Sequence, residues 1–334
     1  AIDCQYFGEC TGCQYRHLKY TKQLELKKMY LERTLSENIT LHNNVLRDVI
    51  PSYVQNHYRN HARFTISREG MLGFIGKETR RFVHVTKCLL MSDHINNLME
   101  GLQSKAAQTR QLSVRASEFS EGYLIQPKLK DVEIELETGQ SSYYEYIGDH
   151  RFKVASPSFF QVNNAQVLKI IDTIRGSGMI DKTSRVLDAY AGVGTLAILI
   201  APYVEYVFGI EDSAAAVSDA EYNSDGLDNV SFEVGKTEEL INSLEFDFDV
   251  AILDPSRKGC DPEALIGLLK RSPEKIIYVS CEPKTLSRDL AVLNTMYEIT
   301  DVIPFDMFPH TCLLYTSDAA DDSLRVDLGG RRII

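Results

Sequence analysis

The sequence predicts an α/β chain in which a doubly wound, parallel-stranded domain follows a smaller β-rich α+β domain. Two observations carry this. From residue 185 onward, β-rich runs at 185–190, 206–211, 230–235, 248–255 and 275–281 alternate with helical patterns. Before that, residues 64–90 and 112–155 alternate apolar and polar side chains in short runs broken by glycine and charge, as in 132–137 and 143–146. That pattern is antiparallel sheet, with a helix expected around 92–108. The texture changes at Ser156–Asn164, where a helix starts near Asn164 under an asparagine cap.

Bulk properties narrow the classes. A chain of 334 residues, 44% hydrophobic and 25% charged, has enough apolar content for two cores and is not disordered. No apolar run approaches the ~18 residues a membrane helix needs, and no basic-then-apolar leader is present. The sequence opens on Ala1 rather than Met, so a shortened chain is one expectation. The net charge of −11 opposes a polyanionic partner, but the first 90 residues hold 14 Lys+Arg against 8 Asp+Glu. That basic front end suits phosphates, or is a solvated surface. Seven cysteines, an odd number, favour a reducing compartment, hence a cytoplasmic and monomeric protein.

Cys4, Cys10 and Cys13 open the chain, with Gly8 and Gly12 easing the turns between them. Three thiolates need a fourth ligand, and Cys88 is the candidate, since Cys260 and Cys281 belong to the other domain. Four sulfurs suit zinc or an iron–sulfur cluster, and the spacing is not that of a zinc ribbon, which favours the cluster. Residues 19–38 read as a helix with Leu24, Lys28, Leu31 and Leu35 on one side. Tyr58-Arg-Asn-His-Ala-Arg-Phe64 is a basic, aromatic cluster entering a strand, suited to gripping RNA or equally to an ordinary strand.

Right-handed crossovers put the parallel strands' C-terminal ends along one rim. Four features fall there: Asp188-Ala-Tyr-Ala-Gly-Val-Gly-Thr195, Glu211, Asp254-Pro-Ser-Arg-Lys-Gly259 and Cys281. The glycines let backbone approach a ligand, but the turn is neither GxGxxG nor a P-loop. Glu211 ends the second strand, where an acid accepts from both ribose hydroxyls of an adenosine-type ligand. The missing third glycine and Asp188 favour S-adenosylmethionine, whose sulfonium is cationic, over a dinucleotide. Cys281 alone reads as a small buried thiol; with those neighbours it reads as a nucleophile.

These residues resemble the bacterial RNA uracil-C5 methyltransferases, and within them the iron–sulfur branch acting on 23S ribosomal RNA. The resemblance runs from Cys4 to Thr311. It rests on the four cysteines, Tyr58-Arg-Asn60, Ser158-Phe-Phe-Gln-Val-Asn163, the glycine turn, Asp254-Pro-x-Arg-x-Gly259, Tyr278-Val-Ser-Cys281 and Phe308-Pro-His-Thr311. It implies a Rossmann-like class I methyltransferase domain over 156–311, a cysteine-cluster segment over 1–63 and a β-rich domain over 64–155. It also implies Cys281 as nucleophile, with Gln161, Tyr190, Gly192, Gly194, Glu211 and Asp254 around S-adenosylmethionine. Cys4, Cys10, Cys13 and Cys88 match the ligands of a [4Fe–4S] cluster, zinc being the alternative. The substrate implied is ribosomal RNA. A transfer RNA enzyme is the nearest competitor, and an RNA-binding relative without turnover is another.

Three departures stand out. The small β-barrel RNA-binding domain that usually precedes the cysteines is expected to be absent or lost. Glu282 stands where asparagine is common after the nucleophile. Leu313 and Tyr315 stand where the family has a short His-x-Glu segment whose Glu is the C5 base, and 312–334 read as a non-native tail. An antiparallel last strand is still expected beside the strand of Cys281.

Overall fold

The computed structural model describes residues 3–312, apart from 11, 43, 77, 78 and 131–133, together with the backbone of 332–333. A long helix, α1 (Tyr20–Leu35), leads into five antiparallel strands: β1 (His61–Ile66), β2 (Leu72–Ile75), β3 (Phe82–His84), β4 (Gln111–Ala116) and β5 (Tyr123–Gln126). Their order is β3-β2-β1-β4-β5. Between β3 and β4 runs α2 (Asp93–Leu102), capped by Ser92 accepting from the Ile95 amide. Ile95, Leu98, Met99 and Leu102 close the sheet's apolar face over Phe64, Leu112 and Val114. A separate hairpin follows, β6 (Ser142–Ile147) and β7 (His150–Ala155).

The second half is the parallel layer. Helix α3 (Asn164–Gly176) starts where the Asn163 side chain accepts from the Gln166 amide. The remaining elements are β8 (Arg185–Asp188), α4 (Thr195–Ile200), β9 (Tyr206–Glu211), α5 (Ala214–Asn223), β10 (Val230–Val234), α6 (Thr237–Leu240), β11 (Val250–Leu253), α7 (Pro262–Arg271), β12 (Lys275–Ser280), α8 (Pro283–Leu293), β13 (Ile303–Pro304) and β14 (Arg332–Ile333). The sheet order is β10-β9-β8-β11-β12-β14-β13, parallel through β12 and antiparallel beyond. Side chains alternate between its two faces. Val186, Val207, Ile252 and Ile277 join one cluster with α3 and α4, while Leu187, Leu253 and Tyr278 join another with α1, α7 and α8. The expected last antiparallel strand lies beside β12 as two residues. Leu313, Tyr315 and most of the tail fall outside the described residues. No described helix is long and apolar enough to cross a membrane.

Two expectations need correction. The alternating 132–137 stretch is not a strand where it is described, at 134–137. There the Glu137 amide bonds the Tyr123 hydroxyl, and the neighbouring Leu129 amide bonds the Thr138 hydroxyl, so side chains take over the role of a ladder. Ile134 and Leu136 pack onto the β-rich core. On α1 the buried stripe is Gln23, Lys27, Leu31, Thr34 and Leu35, so Leu31 and Leu35 lie on it as expected while Leu24 and Lys28 are only half-buried. Lys27 forms an ion pair with Asp306, the two side chains being 3% and 0% exposed, and also donates to the Phe308 carbonyl. The Tyr20 hydroxyl donates to the other Asp306 oxygen, and Gln23 accepts from the His310 amide. Helix α1 is thus a clamp on residues 304–310. Lys27→Met strands the Asp306 carboxylate in the interior, and urea unfolding should show a loss of about 3–5 kcal/mol.

Candidate active site

Parallel strands leave side chains free to meet a ligand only where they end, and this rim is built at the point where the strand order reverses, between β8 and β11. Register fixes who stands beside whom. Asp188 pairs with Ile252 of β11 and Gly209 of β9, and Leu253 pairs with Tyr278 of β12. Asp254 and Cys281 therefore leave adjacent strands, one and three residues past that last pair.

The turn after β8 is tied to its neighbours by backbone. The Ala189 amide donates to the Ile252 carbonyl, and the Ala191 amide to Ile210. Gly194 has φ +84°, and a Cβ there would stand 2.8 Å from Ile198 Cδ1 and 3.0 Å from Phe232 Cζ. Gly192 also has positive φ, but a Cβ there would meet nothing within 4 Å, so the turn has open space above it. Glu211 reaches back to this turn. Its Oε2 accepts from the Gly192 amide and its Oε1 from Ser213, each at 2.9 Å. Burial raises the Glu211 pKa, the neighbouring Asp212 adds to that, and the two amides oppose it. The Tyr190 hydroxyl is buried, with the Cys260 thiol beside it.

Cys281 is half-buried and takes part in no disulfide. The Ser280 hydroxyl accepts from the Glu282 amide at 3.1 Å, which folds the chain sharply at Cys281. The Glu282 side chain then caps α8 through the Lys284 amide. In this chain the residue after the cysteine is thus a helix cap.

Gln161 lies on the segment before α3, which is stitched to both ends of the chain. Asn60 Nδ2 lies 3.0 Å from the Gln161 carbonyl, and Asn163 Nδ2 donates to the Met307 carbonyl at 3.1 Å. Of the neighbouring phenylalanines, Phe160 is buried against Phe152, whereas Phe159 is 49% exposed. Tyr58, Arg59 and Asn60 are all buried, and the Tyr58 hydroxyl donates to the Pro309 carbonyl, whereas Arg63 of the same cluster is exposed.

The cysteine set is a second locality. Burial first, then neighbouring thiols, pushes the Cys10 thiol up to about 11 and raises Cys13 further, with Cys4 and Cys88 among the neighbours. Cys88 is raised as well, chiefly by burial, and Cys4 is among its neighbours. Asn96 holds the Cys88 backbone at both its amide and its carbonyl. Among the described residues no three His, Cys, Asp or Glu are grouped tightly enough to hold a metal ion.

Glu145 and Asn96 carry none of the motifs, and only their polar character on otherwise apolar faces hinted at them. Glu145 is 0% exposed, accepts from the Tyr146 amide at 2.9 Å, and faces Asn60 Nδ2 at 3.1 Å. Burial pushes its carboxyl up to about 7, against the pull of hydrogen bonds from Tyr146, Ser117 and Asn60. A carboxyl raised in the folded state binds its proton more tightly there than in the unfolded chain. Its contribution to stability is therefore full below the ordinary value of 4.5 and is lost as pH rises to about 7. Glu145→Gln should flatten the fall in unfolding free energy between about pH 5 and about pH 8, measured by urea titration at each pH.

Comparison with known proteins agrees with this architecture. A family profile described as tRNA (uracil-5-)-methyltransferase matches residues 134–317. An uncharacterized RNA methyltransferase of Clostridium acetobutylicum is 29% identical, covering 92% of this chain and 80% of that protein. One from Staphylococcus epidermidis is 26% identical over 94% and 82%. The crystal structure of Pyrococcus abyssi tRNA (uracil-54, C5)-methyltransferase in complex with S-adenosyl-L-homocysteine superposes with a TM-score of 0.74 at 24% identity, covering 98% of this chain and 86% of that one. The rim, the glycine turn and the profile spanning more than half of the chain lead to one conclusion: this is an S-adenosylmethionine-dependent RNA methyltransferase, and the chain belongs to the tRNA (uracil-5-)-methyltransferase family.

Proposed function

We propose that this chain methylates C5 of a uridine in 23S ribosomal RNA, with Cys281 as covalent nucleophile. The observation that carries this is the position of Cys281, at the end of β12 beside Asp254 and one strand away from the Asp188–Thr195 turn. C5 of uracil is a weak nucleophile. Addition of the Cys281 thiolate to C6 would form a C–S bond and push the electron pair onto C5, whose attack on a methyl carbon breaks that carbon's bond to a sulfonium and expels the thioether. S-adenosylmethionine, when bound, supplies that methyl on a sulfonium. A base then takes the C5 proton and the C–S bond breaks, returning the thiolate.

The turn suits an adenosine-type ligand. The space over Gly192 admits it, each Glu211 oxygen keeps a lone pair for a ribose hydroxyl, and the Tyr190 ring belongs to the same turn. Gly194, Gln161 and Asp254 complete the proposed surround. The target base must leave its stack to reach Cys281, and the exposed Phe159 offers a ring for it. The proposed base position, 313–315, lies outside the described residues, and with Leu313 and Tyr315 there the adduct is expected to persist. Labelled S-adenosylmethionine, offered with unmodified 23S ribosomal RNA and with transfer RNA, should label uridine C5 in the former. It should also leave a covalent RNA–protein band on a denaturing gel. Cys281→Ala should abolish the band and cut labelling at least about a thousandfold. Label confined to transfer RNA would move the substrate to the reading that the family profile's name favours.

Cys4, Cys10, Cys13 and Cys88 are proposed to hold a [4Fe–4S] cluster. The support is proximity: Cys10 and Cys13 are buried and lie near enough to Cys4 and Cys88 to feel their charge, and four thiolates round one centre would offset that repulsion. The Cys4-x5-Cys10-x2-Cys13 spacing is not that of a zinc ribbon, which favours the cluster over zinc. Anaerobically purified protein should absorb near ~400 nm, and Cys88→Ser should remove the band; a colourless, zinc-containing protein would refute the cluster.

A further inference from the structure

Beneath the rim lies a buried polar hub that none of the roles above uses. Asp289, on α8 and 0% exposed, accepts at Oδ2 from the Tyr278 hydroxyl at 2.6 Å and from the Cys260 amide at 2.8 Å. Its Oδ1 accepts from Arg288 Nε at 2.7 Å. Arg288 Nη2 also donates to the carbonyls of Lys258 and Cys260, at 3.0 and 3.1 Å. The Thr285 hydroxyl stands 3.2 Å from the Arg257 carbonyl. The loop that leaves Asp254 is thereby fastened, residue after residue, to the helix that begins two positions after Cys281. Gly259 shows how close the fit is: at φ +76°, a Cβ would stand 2.5 Å from both Arg288 Nη2 and Asp289 Oδ2.

The hub's other side meets the cofactor turn. The buried Cys260 thiol donates to the Tyr278 oxygen at 3.6 Å and lies beside the Tyr190 phenol. Burial pushes this thiol up to about 12, so it remains a donor. A continuous polar path therefore runs from Tyr190 through Cys260 and Tyr278 to Asp289, and from there along α8 to its first turn. A carboxylate wholly removed from water is costly to hold, and apolar packing at this site would be stable without it. Its place between two functional loops suggests that it is retained for their coupling.

We propose that Asp289 is a positioning residue that couples occupancy of the cofactor turn at Tyr190 to the placement of Cys281. The coupling rests on the roles proposed above for those two residues. A ligand seated against Tyr190 shifts the phenol, the shift reaches Asp289 through Cys260, and α8 re-aims the loop ahead of it.

The test reads the thiol directly. The whole chain is alkylated with iodoacetamide with and without saturating S-adenosylhomocysteine, and the rate at Cys281 is followed peptide by peptide by mass spectrometry. The ligand should change that rate at least about fivefold in the unaltered protein. In Asp289→Asn the factor should fall below about twofold, although calorimetry still shows ligand binding and the protein still melts cooperatively. Tyr278→Phe, which removes one bond of the hub and fits the same space, should give a partial loss and serves if Asp289→Asn does not fold. Direct shielding of the thiol by ligand would survive both substitutions, so an undiminished factor in the variants overturns the proposal, as does a ligand without effect on the unaltered protein. RNA that is never labelled, in a chain that shows the coupling, would defeat the substrate reading and leave the coupling intact.

Discussion

A parallel sheet satisfies its backbone internally and can meet a ligand only where its strands stop. Everything functional in this protein follows from that constraint. The order reversal between β8 and β11 opens the crevice, and the strand ends on either side supply the glycine turn, Asp254 and Cys281. The rest of the chain keeps those ends in register. Helices α3 and α4 cover one face, α1, α7 and α8 the other, and the β-rich half holds the Gln161 segment and the cysteine set.

The joints between these parts are mostly buried carboxylates. Asp306 joins α1 to residues 304–310, Glu145 joins β6 to Asn60, and Asp289 joins two rim loops. Asp219, 2% exposed, accepts from the Ala155 amide and the Ser158 hydroxyl, and so ties α5 to the start of the Gln161 segment. Each serves donors from separate stretches of chain. An apolar contact would hold the same pieces together without fixing their orientation. A carboxylate with directed partners fixes both, and the angle of a methyl transfer depends on orientation.

The parallel half was legible because its signals are local. Runs such as 206–211 and 275–280 are bounded by polar or helix-starting residues, and the structure places strands there within a residue or two. The glycine turn and Glu211 stood out by their spacing, and the Glu211–Gly192 bond joins them in space. The joints were hidden because their logic is long-range. Lys27 reads as a solvated lysine until Asp306, far along the chain, is folded against it. Glu145 reads as one polar residue in an alternating strand, and Tyr58-Arg-Asn60 as a surface cluster. The 132–137 alternation misled for the opposite reason: its pattern suits a strand, but 134–137 lie against side-chain hydroxyls rather than in a ladder.

The hold of α1 and the segment after it on residues 302–310 has a consequence for how the protein is made. Leu46 bridges to Val302, Ile50 bridges to Phe305, and Lys27 pairs with Asp306. Contacts between chain regions this distant form late, after the entropy of closing nearly the whole chain has been overcome. On the ribosome the early helix emerges long before its partner exists. Until then its Lys27 and Gln23 stay hydrated, and the apolar side chains between them have nothing to cover. A newborn chain of this kind is exposed to misassembly while residues 36–301 are being made, and the Gln161 segment, bonded to Met307, becomes fixed only after that residue has been translated.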